Sequence, residues 1–477
     1  MGIKPLYYFE DEEKLVFSSE IRSLLASGEV PKRLCRRQLS DYLRYQTVHA
    51  PETMVEGVKM HAPASYTFWE RSGKRSTEAY WLISSSSRSI VSSREEARQG
   101  VKELFYDSVH RRMQADVPFG AFLSGGIDSS AIVGAMARSS DRQVMSFTVN
   151  FEEKAFSEAR YARKVARLFG TAHEEVLIRP QELLELLPQA LQAMDHPSGD
   201  GINSFVLSGA IKRAGVTMAL TGLGGDELFA GYPVFKRMKQ AQRLRWFWKL
   251  PVFLREKAAK GLGVWKKGVQ SDKLQALLRL PHFSEAHLYA QARQLMIESQ
   301  LEELLGDECA SNRVIEETKA IFDGSPGLFS QLTQAETQTY MQNVLLRDAD
   351  QMSMAHGLEL RVPFLDHRLV ELAMSLPDEW KFPHRPKQLL VDSLGGLLPD
   401  EVVSRPKMGF VFPWAQWLRG DLRAFGTQCI MYLEEREVFR AGAAARRWDA
   451  FLRNDPSVSW LSVWQLMVLG YWLDKNL

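Results

Sequence analysis

The sequence predicts an α/β protein, a doubly wound parallel sheet with a helical C-terminal region, preceded by a small α+β region. Three observations predict it. Between residues 117 and 222, strand-like and helix-like patterns alternate at the spacing of βαβ units. Beyond about residue 232 the chain reads almost entirely helical. Residues 1–83 instead mix short strand-like runs with one or two helices, punctuated by Pro51, Pro63 and several glycines.

In chain order, the first strand-like runs are Leu6-Tyr7-Tyr8, Lys14 to Phe17 and Tyr66 to Trp69. The serine-rich, polar segment SSSSRSIVSSREEARQG, residues 84–100, reads as a linker to a second region spanning 101–477. Its end carries a helix-start signal. Ser93 and Glu96 have capping-box spacing, and Val101, Leu104, Phe105 and Val109 follow on one helical face. FGAFL (119–123), QVMSFTV (143–149) and VTMALTG (216–222) read as buried strands. Amphipathic helices are expected between them at 130–138, 157–169 and 201–214. The last apolar stretch, Trp460 to Leu473, is interrupted by Ser462, Gln465 and Gly470. A membrane span needs about 20 residues, so this stretch reads as a buried terminal helix.

The chain has 477 residues, 45% hydrophobic and 25% charged, with a formal net charge of +2. That balance excludes an electrostatic case for nucleic acid. Cys35, Cys309 and Cys429 are widely spaced and read as reduced thiols. Charges at Glu10 to Lys14 interrupt any apolar signal run, and a cytoplasmic location is expected. Residues 235–267 concentrate Lys and Arg among aromatics. A weakly membrane-associated surface would look like this. So would a helical hairpin whose Trp and Leu pack inward while its lysines are solvated.

The most informative stretch is FLSGGIDSS, residues 122–130, where a strand gives way to a helix. A helix start at the carboxyl end of a parallel strand offers unpaired N–H groups to an anion. Gly125 and Gly126 permit close backbone approach, and Ser124, Ser129 and Ser130 add hydroxyls. Asp128 beside phosphates makes sense mainly as a metal ligand. No lysine follows the glycines as it would in the common nucleotide loop.

SGGIDSS resembles the pyrophosphate loop of the ATP pyrophosphatase superfamily, whose enzymes cleave ATP between the α- and β-phosphates. Further motifs narrow the likeness: GIKPLYY with FSSEIRSLL, LTGLGGDELFAGY, MSMAHGLELRVPFLDHRLVELAMSLP and RPKMGFVFP. Together they resemble class B, glutamine-hydrolysing asparagine synthetases. The resemblance implies ATP and Mg²⁺ as cofactors, with a small-molecule carboxylate and ammonia as partners. The carboxylate would be adenylated, pyrophosphate would leave, and ammonia would displace AMP. Leu123 and Val149 would line the adenine site through main chain. Ser124, Gly125, Gly126, Asp128, Ser129 and Ser130 would hold pyrophosphate, Asp128 and Asp226 would bind Mg²⁺, and Thr221 and Gly222 would lie near AMP. Lys407, in RPKMGF, would stabilise charge as the adenylate forms. Arg361 and Asp366 are expected to brace the site. A homodimer is compatible with the family pattern.

The sequence departs from that pattern twice. GIKPLYY matches a segment well inside the family's amidotransferase domain, so residues 1–83 read as a truncated remnant of an N-terminal-nucleophile hydrolase. Cys35 lies mid-chain without a free amine as base, and cannot replace the missing nucleophile. Either the start is mis-called or the sequence is a gene fragment, or ammonia comes free or from a separate glutaminase. In addition, Leu223 stands where asparagine synthetases have glutamate. Aspartate remains the default acceptor, a different carboxylate is the alternative, and a non-catalytic nucleotide-binding role is a third reading.

Overall fold

A computed structural model describes the chain except residues 71, 84–90, 152–157, 258–268, 325–326, 383 and 406–412. Its centre is a five-stranded sheet formed by β6 (Phe119–Phe122), β7 (Met145–Phe151), β8 (Ala172–Ile178), β9 (Met218–Leu220) and β10 (Glu359–Arg361). The order is β10-β9-β6-β7-β8, and every pairing is parallel. The chain winds outward from β6 through β7 to β8, then crosses to the other side of β6 for β9. The winding therefore reverses between β6 and β9. The carboxyl ends of those two strands open a crevice at the reversal, where open α/β sheets take ligands.

Two of these strands were not legible in the sequence. β8 reads AHEEVLI, with exposed Glu174 between partly buried neighbours, because it is an edge strand with one solvated face. β10 is only ELR, the one strand among the described residues in a stretch that is otherwise almost entirely helical beyond residue 232, as expected. It adds to the sheet by pairing Leu360 with Ala219.

The expected helices form at Ile127–Ser139, Ala159–Phe169 and Gly201–Arg213. The helix Arg94–Met113 starts inside the segment read as linker, because its cap is satisfied there. The Ser93 hydroxyl accepts from the Glu96 N–H, while the Glu96 carboxylate accepts from the N–H and hydroxyl of Ser92. The reciprocal half of the capping box has thus moved one residue upstream.

The first region contains the antiparallel sheet β2-β1-β3, built from Tyr7–Glu10 (β1), Leu15–Ser18 (β2) and Val58–Met60 (β3). The hairpin Ser65–Trp69 (β4) and Arg75–Ala79 (β5) follows. Tyr7, Leu24, Leu43 and Val58 share one apolar core with Leu191, Phe205, Trp464 and Leu469. The Asp195 carboxylate accepts from the backbone N–H groups of Ile21 and Arg22 at 2.6 and 2.7 Å, and the Tyr42 hydroxyl donates to the Gln465 carbonyl at 2.8 Å. The first region is therefore knitted into the body of the protein. Two of its aromatic side chains face solvent, Phe17 66% and Phe68 65% accessible.

The terminal helix, Trp460–Asn476, is buried along most of its length. No helix among the described residues is long and apolar enough to cross a membrane. In the basic stretch, the helix Pro233–Arg243 buries Phe235 and Met238. Trp248 packs edge-on against Phe283, but Trp246 and Phe253 are exposed. The first helix and Trp248 thus pack as the hairpin expectation has it, Trp246 and Phe253 do not, and the final part of the stretch lies outside the described residues.

Candidate active site

The crevice between β6 and β9 opens into a cavity of about 960 Å³. Leu123, Ser124, Gly126, Asp128, Ser129, Val149, Thr221, Gly222 and Asp226 all line it. The loop after β6 runs straight into the Ile127–Ser139 helix, three residues earlier than the sequence suggests. Gly126 caps that helix without a side-chain bond. Its first-turn N–H groups thus remain available to an anion.

The loop is held by its own serines. The Ser129 hydroxyl accepts from the Ser124 N–H at 3.2 Å and lies 3.0 Å from the Ser124 hydroxyl, which accepts from the Gly126 N–H at 3.3 Å. Two members of the expected set do not reach the cavity wall. Gly125 is a turn former with φ +68°, and a Cβ there would lie 2.6 Å from the Ala162 nitrogen. Ser130 is fully buried beneath the loop, where the helix has turned its side chain inward.

Leu123 and Val149 are near-buried wall residues joined through β7. The Leu123 N–H donates to the Phe147 carbonyl at 2.8 Å, and its own carbonyl accepts from the Thr148 hydroxyl. Thr221 is tied to β10 through its N–H, which donates to the Arg361 carbonyl at 3.0 Å. The Arg361 side chain points elsewhere, donating to the carbonyls of Arg112 and Gln114 at the end of the Arg94–Met113 helix. Asp366 caps the His367–Ser375 helix and pairs with Arg112 and Arg368. Both side chains fasten scaffold helices rather than the cavity.

Asp128 and Asp226 converge on one cation, the ammonium of Lys387. Its Nζ lies 2.6 Å from Asp226 and makes a shorter contact with Asp128. Burial pulls the Lys387 pKa down, but the two carboxylates outweigh it and hold the ammonium firmly protonated. Glycines make this packing possible. A Cβ at Gly225 would lie 2.5 Å from Asp128 Cγ, and one at Gly222 would lie 2.9 Å from Asp128 Cβ.

The sequence contains RPK twice, at 385–387 and 405–407. Sequence reasoning singled out Lys407, which lies outside the described residues. It missed Lys387, because only the tertiary fold places the first RPK beside the carboxylates. It also missed Arg405, whose guanidinium donates to the Gly125 carbonyl at 3.2 Å, pairs with Glu158 and lies over the Tyr161 ring. Removing this clamp loosens the loop but leaves its donors in place. Arg405→Ala is expected to weaken anion binding at this loop about tenfold, measured by calorimetric titration with pyrophosphate.

Comparison with known proteins identifies the family. The asparagine synthase family profile matches residues 100–474, and the glutamine amidotransferase domain profile matches residues 1–81. "Asparagine synthetase [glutamine-hydrolyzing] 1" of Bacillus subtilis is 31% identical over 88% of this chain and 66% of its own length. "Asparagine synthetase [glutamine-hydrolyzing] 3" of the same organism is 29% identical over 85% of this chain and 63% of its own length. "Amidase chyE" of Penicillium rubens is 27% identical over 88% of this chain and 68% of its own length. The chain thus spans slightly under two thirds of the two Bacillus relatives. The matched span contains the whole parallel sheet, both glycine loops and Lys387. This chain belongs to the asparagine synthase family, with an ATP-pyrophosphatase-type domain behind a partial amidotransferase region.

Proposed function

We propose that the protein is an AMP-forming amide ligase. ATP and a carboxylate react to give an acyl-adenylate and pyrophosphate, and a nitrogen nucleophile then displaces AMP to form an amide. One observation carries this reading: the serine-glycine loop and the Gly222–Asp226 loop meet at the sheet's reversal point, around two carboxylates and a buried lysine.

Each part has a physical role. The free N–H groups at the start of the Ile127–Ser139 helix and the Ser124 and Ser129 hydroxyls hold pyrophosphate. Leu123, Val149 and Thr221 shape the wall that receives the nucleoside and AMP portions. As the substrate carboxylate attacks the α-phosphorus, negative charge grows on the equatorial oxygens. Lys387 is a fixed cation in a water-poor site and offsets that charge. The buried pairing with Asp128 and Asp226 keeps its ammonium charged and aimed.

The carboxylates also fit Mg²⁺. Magnesium is commonly bound by one or two carboxylates plus substrate phosphate oxygens, and Asp128 and Asp226 lie together on the cavity wall. No larger cluster of ligating side chains exists among the described residues, so phosphate oxygens would complete the set. The ion would neutralise pyrophosphate and orient it for departure.

Aspartate, giving asparagine, is the acid the family pattern suggests first, and a different carboxylate is the alternative. Cys35 offers no activated thiol, because burial raises its pKa. The nitrogen donor of the reaction is ammonia, either free or released by a glutaminase, or another amine. The basic, aromatic surface around Trp246 and Phe253 would permit weak contact with an anionic membrane.

The test is pyrophosphate and AMP release from ATP–Mg²⁺, with candidate acids and ammonium present or omitted. Acid-dependent pyrophosphate, with amide formed in step with AMP, is expected. ADP and phosphate as products, or no acid dependence across a broad panel, would reject the reading.

A further inference from the structure

The part of the cavity wall away from the glycine loops carries its own chemistry. The Gly201–Arg213 helix turns Asp200, Asn203, Ser204 and Leu207 to the cavity, at the i, i+3, i+4 and i+7 spacing of one helical face. Facing them is a continuous helix whose π-helical turns, Thr337–Leu346, lead into the α-helix Arg347–Met354. That helix presents Leu345, Asp348 and Ala349, again at i, i+3 and i+4. Leu223 lies on the same wall.

The electrostatics here are one-sided. Three basic residues line the whole cavity among those described, and each is engaged elsewhere. Lys387 holds Asp128 and Asp226, Arg405 pairs with Glu158, and Arg385 faces Asp392 at 3.7 Å. Arg347, next to Asp348, turns its guanidinium to the Thr47 hydroxyl and the Val48 carbonyl. Asp348 is fixed by donors from Ser198 and Gln351, but a carboxylate has acceptor capacity for more. Burial raises the Asp348 carboxyl to about 7. Asp200 is the more accessible of the two, and among the described residues its carboxylate has no ion-pair partner.

A second carboxylate on the substrate, such as aspartate brings, would meet like charge here. A cation would meet two acceptors with an apolar shelf of Leu207, Leu223 and Leu345 beside them. We propose that Asp200 and Asp348 bind an alkylammonium group, so that the reactant completing the amide carries an amine and not a second carboxylate. The inference rests on the adenylation reading and names its substrate class. The ammonium belongs either to the nitrogen nucleophile or to the acid being activated. In the first case the ammonium gives one proton to a carboxylate, and its lone pair forms the C–N bond. The acyl C–O bond then breaks, AMP leaves with that electron pair, and the second nitrogen proton passes to solvent.

The experiment is calorimetric titration of putrescine and of succinate into the full chain loaded with Mg²⁺ and α,β-methylene-ATP. Putrescine is expected to bind and succinate not to. Asp200→Asn and Asp348→Asn should each weaken putrescine at least about tenfold while keeping nucleotide affinity within about twofold. Asp200 is exposed, so its variant remains informative if the buried Asp348 change disturbs folding. Succinate binding as well as putrescine, or putrescine affinity unchanged in Asp200→Asn, would overturn the inference. The nucleotide titration reports separately on the adenylation reading, since putrescine can bind even if that reading fails. Pyrophosphate–ATP exchange then separates the two sources. Exchange with β-alanine but not butyrate places the ammonium on the acid. Exchange with butyrate, followed by amide formation with putrescine, places it on the nucleophile.

Discussion

Lys387→Ala is expected to lower acid-dependent pyrophosphate release by at least about 100-fold, because removing one preorganised donor to developing charge typically costs that much. The variant also leaves Asp128 and Asp226 facing each other without the cation between them. Breaking a buried ion pair by deleting one partner costs about 3 kcal/mol or more, so the midpoint of thermal unfolding should fall. Added Mg²⁺ should recover more of that loss in the variant than in the parent, because a divalent cation can take the ammonium's place between the carboxylates. A structural lysine with no role at phosphate would show the stability loss and the Mg²⁺ recovery, yet keep its turnover once Mg²⁺ is saturating. That pattern would count against Lys387 as the charge-stabilising cation.

Gly231→Ala is expected to cost a similar factor in turnover with little loss of stability. A Cβ at this position would lie 1.9 Å from Asp226 Oδ1 and 2.3 Å from Lys387 Cε. Both neighbours are the far ends of flexible side chains, so the fold can absorb the methyl group by moving them. The displacement falls on the two groups that must be held in place, and misplacement by about 1 Å can cost about 100-fold in rate. Circular dichroism and thermal unfolding near the parent values, with kcat/KM for ATP reduced about 100-fold, is the expected pair of results. Unchanged kcat/KM would show that the positions of Asp226 and Lys387 do not govern the reaction.

The glycine-serine loop was legible because its information is contiguous. An apolar strand, two glycines and a run of serines occupy neighbouring positions, and local hydrogen bonds among Ser124, Gly126 and Ser129 finish the turn. The same holds for the glycine loop after β9, where Gly222 and Gly225 precede Asp226. Strands β6, β7 and β9 announced themselves by apolar runs, since each is buried inside the sheet. The edge strands β8 and β10 did not, because one is half solvated and the other is three residues long.

By itself, then, the sequence determined the fold class, the order of the main elements and the glycine-serine loop that lines the cavity. All of these follow from short-range patterns of polarity and backbone freedom. Only the tertiary structure decided which charges meet there. Strand order β10-β9-β6-β7-β8 brings residues 123–129 and 221–226 to one crevice, and the long helical return delivers Lys387 and Arg405 to it. It also sets Asp200 against Asp348 across the cavity wall. A lysine in an RPK tripeptide, or an aspartate at a helix start, looks the same in sequence wherever it lands. The difference is Coulombic and desolvation energy, which depends on distances between residues far apart in the chain.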